Sequence, residues 1–172
     1  DEHTCGLASD GTAYCWGRNE FGQVGNGGTG FVVSIPTAVV VPAGLKFKTL
    51  APGGTHTCGL TTAGAAWCWG HNNRGQLGDG LNDDRPTPAA VAGSLAFTDL
   101  KAGGLHTCGL TAAGGVHCWG DNAYSQLGST GQNPQRLPAA VPGAPALASL
   151  AAGNYHTCGL TAAGAGYCWG RN

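Results

Sequence analysis

HTCGLASDGTAYCWG, residues 3–17, is the stretch around which the chain is organised. Its two ends, HTCGL and CWG, return together in residues 56–70, 106–120 and 156–170, so the copies start 53, 50 and 50 residues apart. Self-similarity at a nearly fixed period of this size is typical of repeat architectures. The sequence therefore uses one structural unit four times.

Each copy predicts a β-hairpin. In the first copy, residues 4–8 and 12–16 flank the turn Ser9-Asp10-Gly11, whose final glycine suits the left-handed backbone conformation of a three-residue hairpin turn. The same glycine ends the other three turns, as Gly64, Gly114 and Gly164. The four hairpins are therefore expected to share one strand register.

That register places the two cysteines of each copy opposite each other. Counting outward from the turn puts Cys5 across from Cys15 at a non-hydrogen-bonded position, where Cα atoms approach to roughly 4.5 Å, within the roughly 4.4–6.8 Å that a disulfide tolerates. A disulfide that closes a loop of this length lowers the entropy of the unfolded chain, which stabilises the fold by roughly 2.5–3 kcal/mol, less any strain in the bridge. We therefore predict four disulfides with no cysteine left over: Cys5–Cys15, Cys58–Cys68, Cys108–Cys118 and Cys158–Cys168.

Two other interpretations of the cysteines stay open. Metal binding is one, because His3 and Cys5 alternate onto one strand face and Cys15 joins them from the neighbouring strand. Zinc sites, however, favour a Cys-x2-4-Cys knuckle that wraps the ion, whereas these cysteines are ten residues apart across a flat hairpin. Buried free thiols are the other alternative. Disulfides remain the preferred interpretation.

Composition restricts the partners and the compartment. Only 10% of the 172 residues are charged and the formal net charge is −1, so the chain lacks the basic field that attracts nucleic acid or an anionic membrane surface. No apolar run approaches the ~20 residues of a membrane helix. Eight cysteines in pairs, together with few charges, favour an oxidising compartment. We expect a secreted, extracellular or cell-surface protein that needs no cofactor.

The strand pattern predicts an all-β chain. Each full unit offers about four short strands separated by turn signals, and nothing in it has a helical period. We divide the chain into one repeat region, 1–172, with units at approximately 1–52, 53–102, 103–152 and an incomplete 153–172. Four-stranded units of this size are what a β-propeller blade requires. Two sets of residues at equivalent positions in the units, the tryptophan column and the leucine column, are expected to pack between blades. They are Trp16, Trp69, Trp119 and Trp169, and Leu7, Leu60, Leu110 and Leu160.

A ten-residue motif after each hairpin carries a family resemblance. It reads WGRNEFGQVG in residues 16–25, WGHNNRGQLG in 69–78 and WGDNAYSQLG in 119–128. With HTCGL, it resembles the repeat of the regulator of chromosome condensation (RCC1) family over nearly the whole chain. The resemblance implies RCC1-like β-propeller blades, which family members usually close into a ring of seven. With about three and a half repeats of ~50 residues, the chain is expected to be part of such a ring or of an open superhelical array. Its paired cysteines are similar to those of the secreted bacterial variety.

The repeated histidines are interpreted as structural. A catalytic residue is ordinarily needed once, whereas this histidine occurs in every unit, so a hydrogen bond to a strand end or to an adjacent blade explains it more simply. The four copies are His3, His56, His106 and His156.

No catalytic motif or strong metal motif stands out. The sequence has no Gly-x-Ser-x-Gly elbow, phosphate-binding Lys loop or His-Glu-x-x-His, so we do not expect an enzyme. Asp79, Asp83 and Asp84 form an oxygen-rich cluster, which is a weak calcium candidate because it lacks the order and the closing glutamate of an EF-hand. A solvated loop is the preferred interpretation of this cluster.

The variable loops are the candidates for partner binding, since they differ while the scaffold repeats. They comprise residues 27–35, 81–85 and 129–136, and the candidate partner-binding residues within them are Phe31, Val32, Arg85 and Arg136. Phe31 and Val32 are the most conspicuous because they are apolar within an insertion.

Our leading hypothesis is a non-enzymatic, disulfide-stapled repeat protein that acts as a structural or interaction element of an extracellular or cell-surface assembly, including a filament. Its partner would be a protein or another copy of itself, within a longer chain or a homo-oligomer. The alternative is a closed β-propeller that binds or inhibits one protein partner, as the resemblance also implies. A guanine-nucleotide exchange factor, the activity of the family's namesake, is favoured least because no matching loop or inserted wedge is found.

Overall fold

The computed structural model describes residues 3–172, so the first two residues of the first unit lie outside the described part. The described residues form fourteen β-strands and no helix, and the strands assemble into four antiparallel sheets. Strands that are consecutive in a sheet are also consecutive in the chain, so each sheet is a simple meander. The predicted all-β architecture of propeller blades is confirmed.

The sheets contain three, four, four and three strands in chain order. The first sheet consists of β1 (His3–Leu7), β2 (Ala13–Asn19) and β3 (Gly30–Ala38). The second consists of β4 (Phe47–Pro52), β5 (His56–Thr61), β6 (Ala66–Gly70) and β7 (Arg85–Ala90). The third consists of β8 (Phe97–Ala102), β9 (His106–Thr111), β10 (Val116–Gly120) and β11 (Gln135–Ala140). The fourth consists of β12 (Ser149–Ala152), β13 (His156–Leu160) and β14 (Gly166–Gly170).

The two strands of each hairpin pair in the predicted register. In the first sheet Cys5 lies opposite Cys15 and Leu7 lies opposite Ala13, and the other three hairpins repeat this pairing. Gly11 closes the first turn with a φ of +78°, the left-handed conformation that favours glycine. Turn chemistry therefore fixes which residues face each other across every hairpin.

Each hydrophobic core lies between two sheets. Trp69 of the second sheet is fully buried against Val24 and Val39 of the first unit, and Phe47 joins the same cluster. Trp119 occupies the corresponding place between the second and third sheets. No sheet buries its faces alone, so neighbouring sheets hold each other together, as repeat proteins require.

In the leucine column, only the leucines of the second and third sheets are buried between neighbouring sheets. Leu60 and Leu110 are 1% and 4% exposed, whereas Leu7 and Leu160 are 37% and 49% exposed. Within the described residues, the predicted packing between blades is therefore present for Leu60 and Leu110 and not for Leu7 and Leu160. These two sheets each have a described neighbour on one side only.

Backbone hydrogen bonds join successive sheets near both the first and the last strand of a sheet. After the first strands β4 and β8, Gly54 N donates to Gly103 O at 3.0 Å. Near the outer strands, Gly27 N donates to Pro86 O at 3.0 Å, and Gly80 N donates to Arg136 O at 3.2 Å. Each outer strand begins inside a stretch predicted as a variable loop, so that prediction is wrong for residues 30–35, 85 and 135–136, which belong to β3, β7 and β11. Stacking places these three segments along one rim of the molecule.

Candidate functional site

The junction between neighbouring sheets is built around a repeated hydrogen-bond chain. His56 Nε2 lies 2.8 Å from Thr107 Oγ1 of the next sheet, and that hydroxyl donates to the backbone carbonyl of Gln76 at 2.9 Å. The indole Nε1 of Trp119 donates to the same carbonyl at 2.9 Å. One carbonyl therefore receives two donors from the following sheet, and the histidine supplies a third bond across the junction.

The same chain recurs at the other two junctions. Its first copy comprises His3, Thr57, Trp69 and the Gln23 carbonyl. Its third copy comprises His106, Thr157 and the Gln126 carbonyl, where the indole Nε1 of Trp169 is buried without a hydrogen-bond partner among the described residues. We refer to this arrangement as the junction lock. The structural role predicted for the histidine is thus present at three of its four positions.

The junction lock fixes the histidine tautomer. A threonine hydroxyl has one proton, and Thr107 uses it on the Gln76 carbonyl. Thr107 Oγ1 must therefore accept from His56, so His56 Nε2 carries the proton. His56 Nδ1 is buried and has no hydrogen-bond partner within residues 3–172. The Nε2 atom of the imidazole therefore donates across the junction, while its Nδ1 is buried without a partner among the described residues.

Burial lowers the pKa of all three junction histidines. The pKa of His56 falls from 6.5 to about 3, mainly through loss of hydration and secondarily through neighbouring histidines. His3 and His106 follow, each with a pKa near 4 and with loss of hydration as the largest cause. Space for the ring depends on glycine, since a Cβ on Gly103 would overlap His106 Cε1. The neutral donor form is the working form across the pH range near 7.

The outer ends of the stack expose the two halves of a junction lock. His156 occupies the same strand position as His56 but is exposed, and Thr4 occupies the same position as Thr107 and is also exposed. No other described sheet covers either side chain. These two surfaces are complementary in hydrogen-bond chemistry.

Four disulfides staple the hairpins in the predicted pairs. The Cα atoms of each pair are 4.1–4.2 Å apart, the close approach of directly opposed residues. The second and third bridges are completely enclosed, whereas Cys168 of the fourth is exposed. None of the described cysteines is free, and none is arranged as a metal ligand.

The candidate partner-binding residues lie along the rim of outer strands. Phe31 and Val32 lie on β3 and are 82% and 68% exposed. Arg85 begins β7 and is 3.3 Å from the Asp79 carboxylate. Arg136 lies on β11, exposed. The structure therefore distributes these residues over three neighbouring outer strands and does not gather them into one pocket.

The acidic loop serves hydrogen bonds within its own unit. Asp79 accepts from the Asn72 side chain at 3.1 Å and from the backbone N of Leu81 at 3.0 Å. Asp84 accepts from the backbone N of Asn72 at 2.7 Å, and Asp83 is exposed. Within residues 3–172, no group of three or more His, Cys, Asp or Glu side chains is placed to hold a metal ion. The carboxylates of Asp79 and Asp84 stabilise the loop.

Sequence reasoning missed the threonine that accepts from the histidine and the glutamine whose backbone carbonyl accepts from that threonine. Thr107 and Gln76 are both completely buried, although neither is hydrophobic. The available signal was their repetition, because each recurs in every full unit at a fixed distance from the histidine. A polar residue that repeats as strictly as a core tryptophan indicates a buried hydrogen bond.

Comparisons with known proteins agree with this geometry. A family model described as "Regulator of chromosome condensation (RCC1) repeat" matches residues 10–60, 63–110 and 113–160. The human protein named "Probable E3 ubiquitin-protein ligase HERC4" is 38% identical over 82 residues, which is 48% of this chain and 8% of HERC4. The chain thus spans less than a tenth of that relative.

Two solved structures share the fold over essentially the entire chain. Yeast RCC1 (Prp20), in a crystal structure with Kap60, superposes with a TM-score of 0.85 at 23% identity, covering 99% of this chain and 42% of that one. The ectodomain of the receptor kinase CR4 from Physcomitrella patens superposes with a TM-score of 0.67 at 26% identity, covering 100% of this chain and 39% of that one. In the described part of the chain, no helix is long and apolar enough to cross a membrane.

Proposed function

Because the chain belongs to the RCC1 repeat family, we propose that it is a non-enzymatic protein-interaction element that works outside the reducing cytoplasm, as part of an extracellular or cell-surface assembly. Repeats of this fold stack into a scaffold that presents loops along a rim. In this chain the repeated histidines and threonines are used by the junction locks, and the repeated asparagines hold the loop of their own unit. Recognition is therefore assigned to the residues that do not repeat.

The observation that carries the proposal is the exposed apolar edge of the first sheet. Phe31, Val32 and Ile35 are 82%, 68% and 68% exposed on β3, which is the longest described strand and has no charged residue. Contiguous exposed apolar side chains on a protein surface mark interaction sites. The outer strands β7 and β11 instead carry Arg85 and Arg136, charges that protect a sheet edge. This edge is the primary candidate for partner binding.

Arg136 is a second element of the proposed binding rim. The Arg85 guanidinium is paired with Asp79, whereas the structure gives Arg136 no ion pair among the described residues. Leu137 beside it is 47% exposed. Exposed arginine next to apolar area is common in protein interfaces, so Arg136 is assigned to the same rim as Phe31.

The disulfides support the proposed compartment. Disulfides persist in oxidising environments and are rare in the cytosol, and this chain has one in every hairpin. The CR4 relative, at 26% identity, is an ectodomain. Both observations support the proposed extracellular or cell-surface setting. This chain matches only 8% of HERC4, so the ubiquitin-ligase activity in that protein's name forms no part of the proposal.

The proposed assembly continues the stack through further units, supplied by a longer chain or by another copy. The histidine–threonine contact measures 2.8–2.9 Å at each of the three described junctions. His156 and Thr4 present the same two groups on the described fourth and first sheets, so a further unit can dock on either sheet with the same contact. Between copies, such a heterologous contact produces a ring if its rotation closes and a filament if it does not.

The alternative proposal is a closed β-propeller that binds or inhibits a single protein. The superposition on 42% of yeast RCC1, with a TM-score of 0.85, favours it, because the sheets curve as a segment of that propeller does. Guanine-nucleotide exchange is favoured least, and a nucleotide-release assay on purified small GTPases would reject it if release stays at its spontaneous rate.

The test is the mass and shape of the purified protein under non-reducing conditions. Sedimentation over a hundredfold concentration range, with negative-stain imaging, is expected to show concentration-dependent growth. A Phe31→Ser/Val32→Ser variant tests the apolar edge, and Leu81→Ser, which removes another exposed apolar side chain, is the control. A monodisperse compact monomer at every concentration, identical for all variants, would contradict the assembly proposal. Discrete rings would favour the closed binding module.

A further inference from the structure

Two positions in each unit meet across every junction. The first, called the leading position, directly follows the Trp-Gly pair and holds Arg18, His71, Asp121 and Arg171. The second, called the trailing position, lies two residues before the junction glutamine and holds Phe21, Arg74 and Tyr124. At each junction, the trailing residue of one unit contacts the leading residue of the next. These contacts lie beside the junction lock, at the partly exposed margin of the interface.

The first junction pairs two flat rings. Phe21 stacks on His71 with ring centroids 4.0 Å apart and an interplanar angle of 17°. The His71 Nδ1 also lies 3.4 Å from Thr55 Oγ1. This hydrogen bond and the stack together orient the imidazole against the phenyl ring.

The second junction pairs opposite charges at the same two positions. Arg74 Nε lies 3.9 Å from Asp121 Oδ1. The other carboxylate oxygen of Asp121 accepts from the Gln126 side chain at 2.8 Å, which holds the acid in place. Asp121 is only 6% exposed, so the ion pair is screened less than a free surface pair.

The third junction pairs a cation with aromatic rings. The Arg171 guanidinium lies 5.0 Å from the centroid of Tyr124 and 5.5 Å from that of Tyr155. The two tyrosines pack edge to face, 5.3 Å apart. These distances fall within the ~6 Å of a cation–π contact.

Three junctions therefore use three different chemistries at equivalent positions, while the histidine–threonine–carbonyl chain beside them is the same each time. This shared chain lets any unit dock on any other, because it contains no information about order. We infer that the leading and trailing residues are the specificity determinants that select which unit follows which. Specificity of this kind needs mismatches that repel as well as matches that attract. Exchanging the neighbours of the units would create such mismatches. Arg74 opposite Arg171 would place like charges together, and Phe21 opposite Asp121 would leave a buried carboxylate without its cation.

Selection of neighbours has a direct use in a repeat chain. Repeat and multidomain proteins misassemble when equivalent surfaces pair in the wrong order or between chains. The leading and trailing pairs allow the native neighbour to be preferred at each junction without any change in the lock. This inference does not depend on the proposed function, because it concerns contacts within one chain.

The test transfers the chemistry of the second junction to the third. Tyr124→Arg faces Arg171 with a like charge and is expected to increase opening of the fourth sheet about tenfold, through loss of the cation–π contact and added repulsion. Tyr124→Arg combined with Arg171→Asp rebuilds a charge pair and is expected to return opening to within about twofold of the parent chain. Native-state amide exchange of β12, β13 and β14 measures this opening.

A matched control separates specificity from general disturbance. Tyr167→Arg makes the same substitution at a tyrosine that is equally exposed, at 45%, in the fourth sheet, and it is expected to leave opening within about twofold of the parent. Arg171→Asp alone loses the cation and is expected to fall between parent and Tyr124→Arg. If Tyr124→Arg exchanges like the parent, or if the double variant opens as much as Tyr124→Arg, the two positions do not select neighbours and the inference is overturned.

Discussion

Acidification is expected to unfold this protein through its junction histidines. His3, His56 and His106 are 5%, 0% and 0% exposed, and each donates from Nε2 to a threonine of the next sheet. Protonation would place a positive charge and a second N–H on a ring whose Nδ1 has no partner among the described residues. A buried charge without a partner strongly favours the unfolded chain. Lowering the pH from 7 to 4 is therefore the perturbation of interest.

The sign and size of the effect follow from the pKa values. Folding lowers the pKa of the three histidines from 6.5 to about 4, 3 and 4, so the unfolded chain binds protons first as the pH falls. These groups leave stability unchanged above about pH 6.5, and stability is lost progressively below it, down to about pH 4 for His3 and His106 and about pH 3 for His56. Each histidine loses up to ~1.4 kcal/mol per pH unit in this window. At pH 4.5 the loss is about 2–3 kcal/mol for each histidine and ~8 kcal/mol for all three, comparable with the typical ~5–15 kcal/mol of a folded domain.

The assay is denaturant unfolding between pH 7.5 and 4.5 without reductant. The free energy of unfolding is expected to fall with a slope approaching three protons per molecule near pH 5. His106→Gln, which keeps a donor at the Nε position, is expected to lose one proton from this slope. A free energy that changes by less than about 1 kcal/mol over the window, or an unchanged slope in His106→Gln, would refute the reasoning.

Three further outcomes follow from the same geometry. Thr107→Val leaves the buried histidine N–H without an acceptor and is expected to cost about 1–3 kcal/mol in denaturant unfolding, whereas Thr107→Ser keeps the hydroxyl and is expected to cost less. Gly75→Ser is expected to be strongly destabilising in thermal unfolding, because a Cβ there would lie 2.8 Å from Arg136 Cα and the backbone has a φ of +71°; an unchanged melting temperature would contradict the close packing. Mild reductant is expected to open Cys158–Cys168 before the other bridges, since Cys168 is exposed and thiol exchange depends on access; timed alkylation with peptide mapping measures the order.

The hairpins could be predicted from the sequence because their information is local. A glycine at the third turn position sets the register, and the register alone places Cys5 opposite Cys15. Repetition then extends the result to all four copies. Contacts within 15 residues are therefore specified by turn chemistry and the two-residue period of a strand.

Contacts between sheets could be predicted only in outline. A repeated histidine indicated a structural role, but its acceptor, Thr107 for His56, lies 51 residues away and is identified only by the stacking geometry. The leucine column misled because Leu7 and Leu160 lie in sheets with one described neighbour. Pattern defines which residues are equivalent, whereas burial depends on what covers them.

Ser125 departs from the glycine column. It occupies the position of Gly22 and Gly75 and has a φ of +61°, a conformation that glycine adopts without steric cost. Glycine is needed at the earlier positions because the outer strand of the next sheet lies directly above, so that a Cβ on Gly22 would be 2.5 Å from Pro86 Cα. Nothing in the structure explains the serine.

The measurement that tests the account most directly is the thiol content of the protein isolated from its native source. Alkylation in denaturant before and after reduction, followed by intact-mass determination, counts free and bridged cysteines. The account predicts no alkylated cysteine before reduction and eight afterwards, since all eight cysteines lie in hairpin disulfides. Eight alkylated cysteines without reduction would contradict it, because the hairpins would then be unstapled and the proposal of an extracellular interaction element would lose its main support.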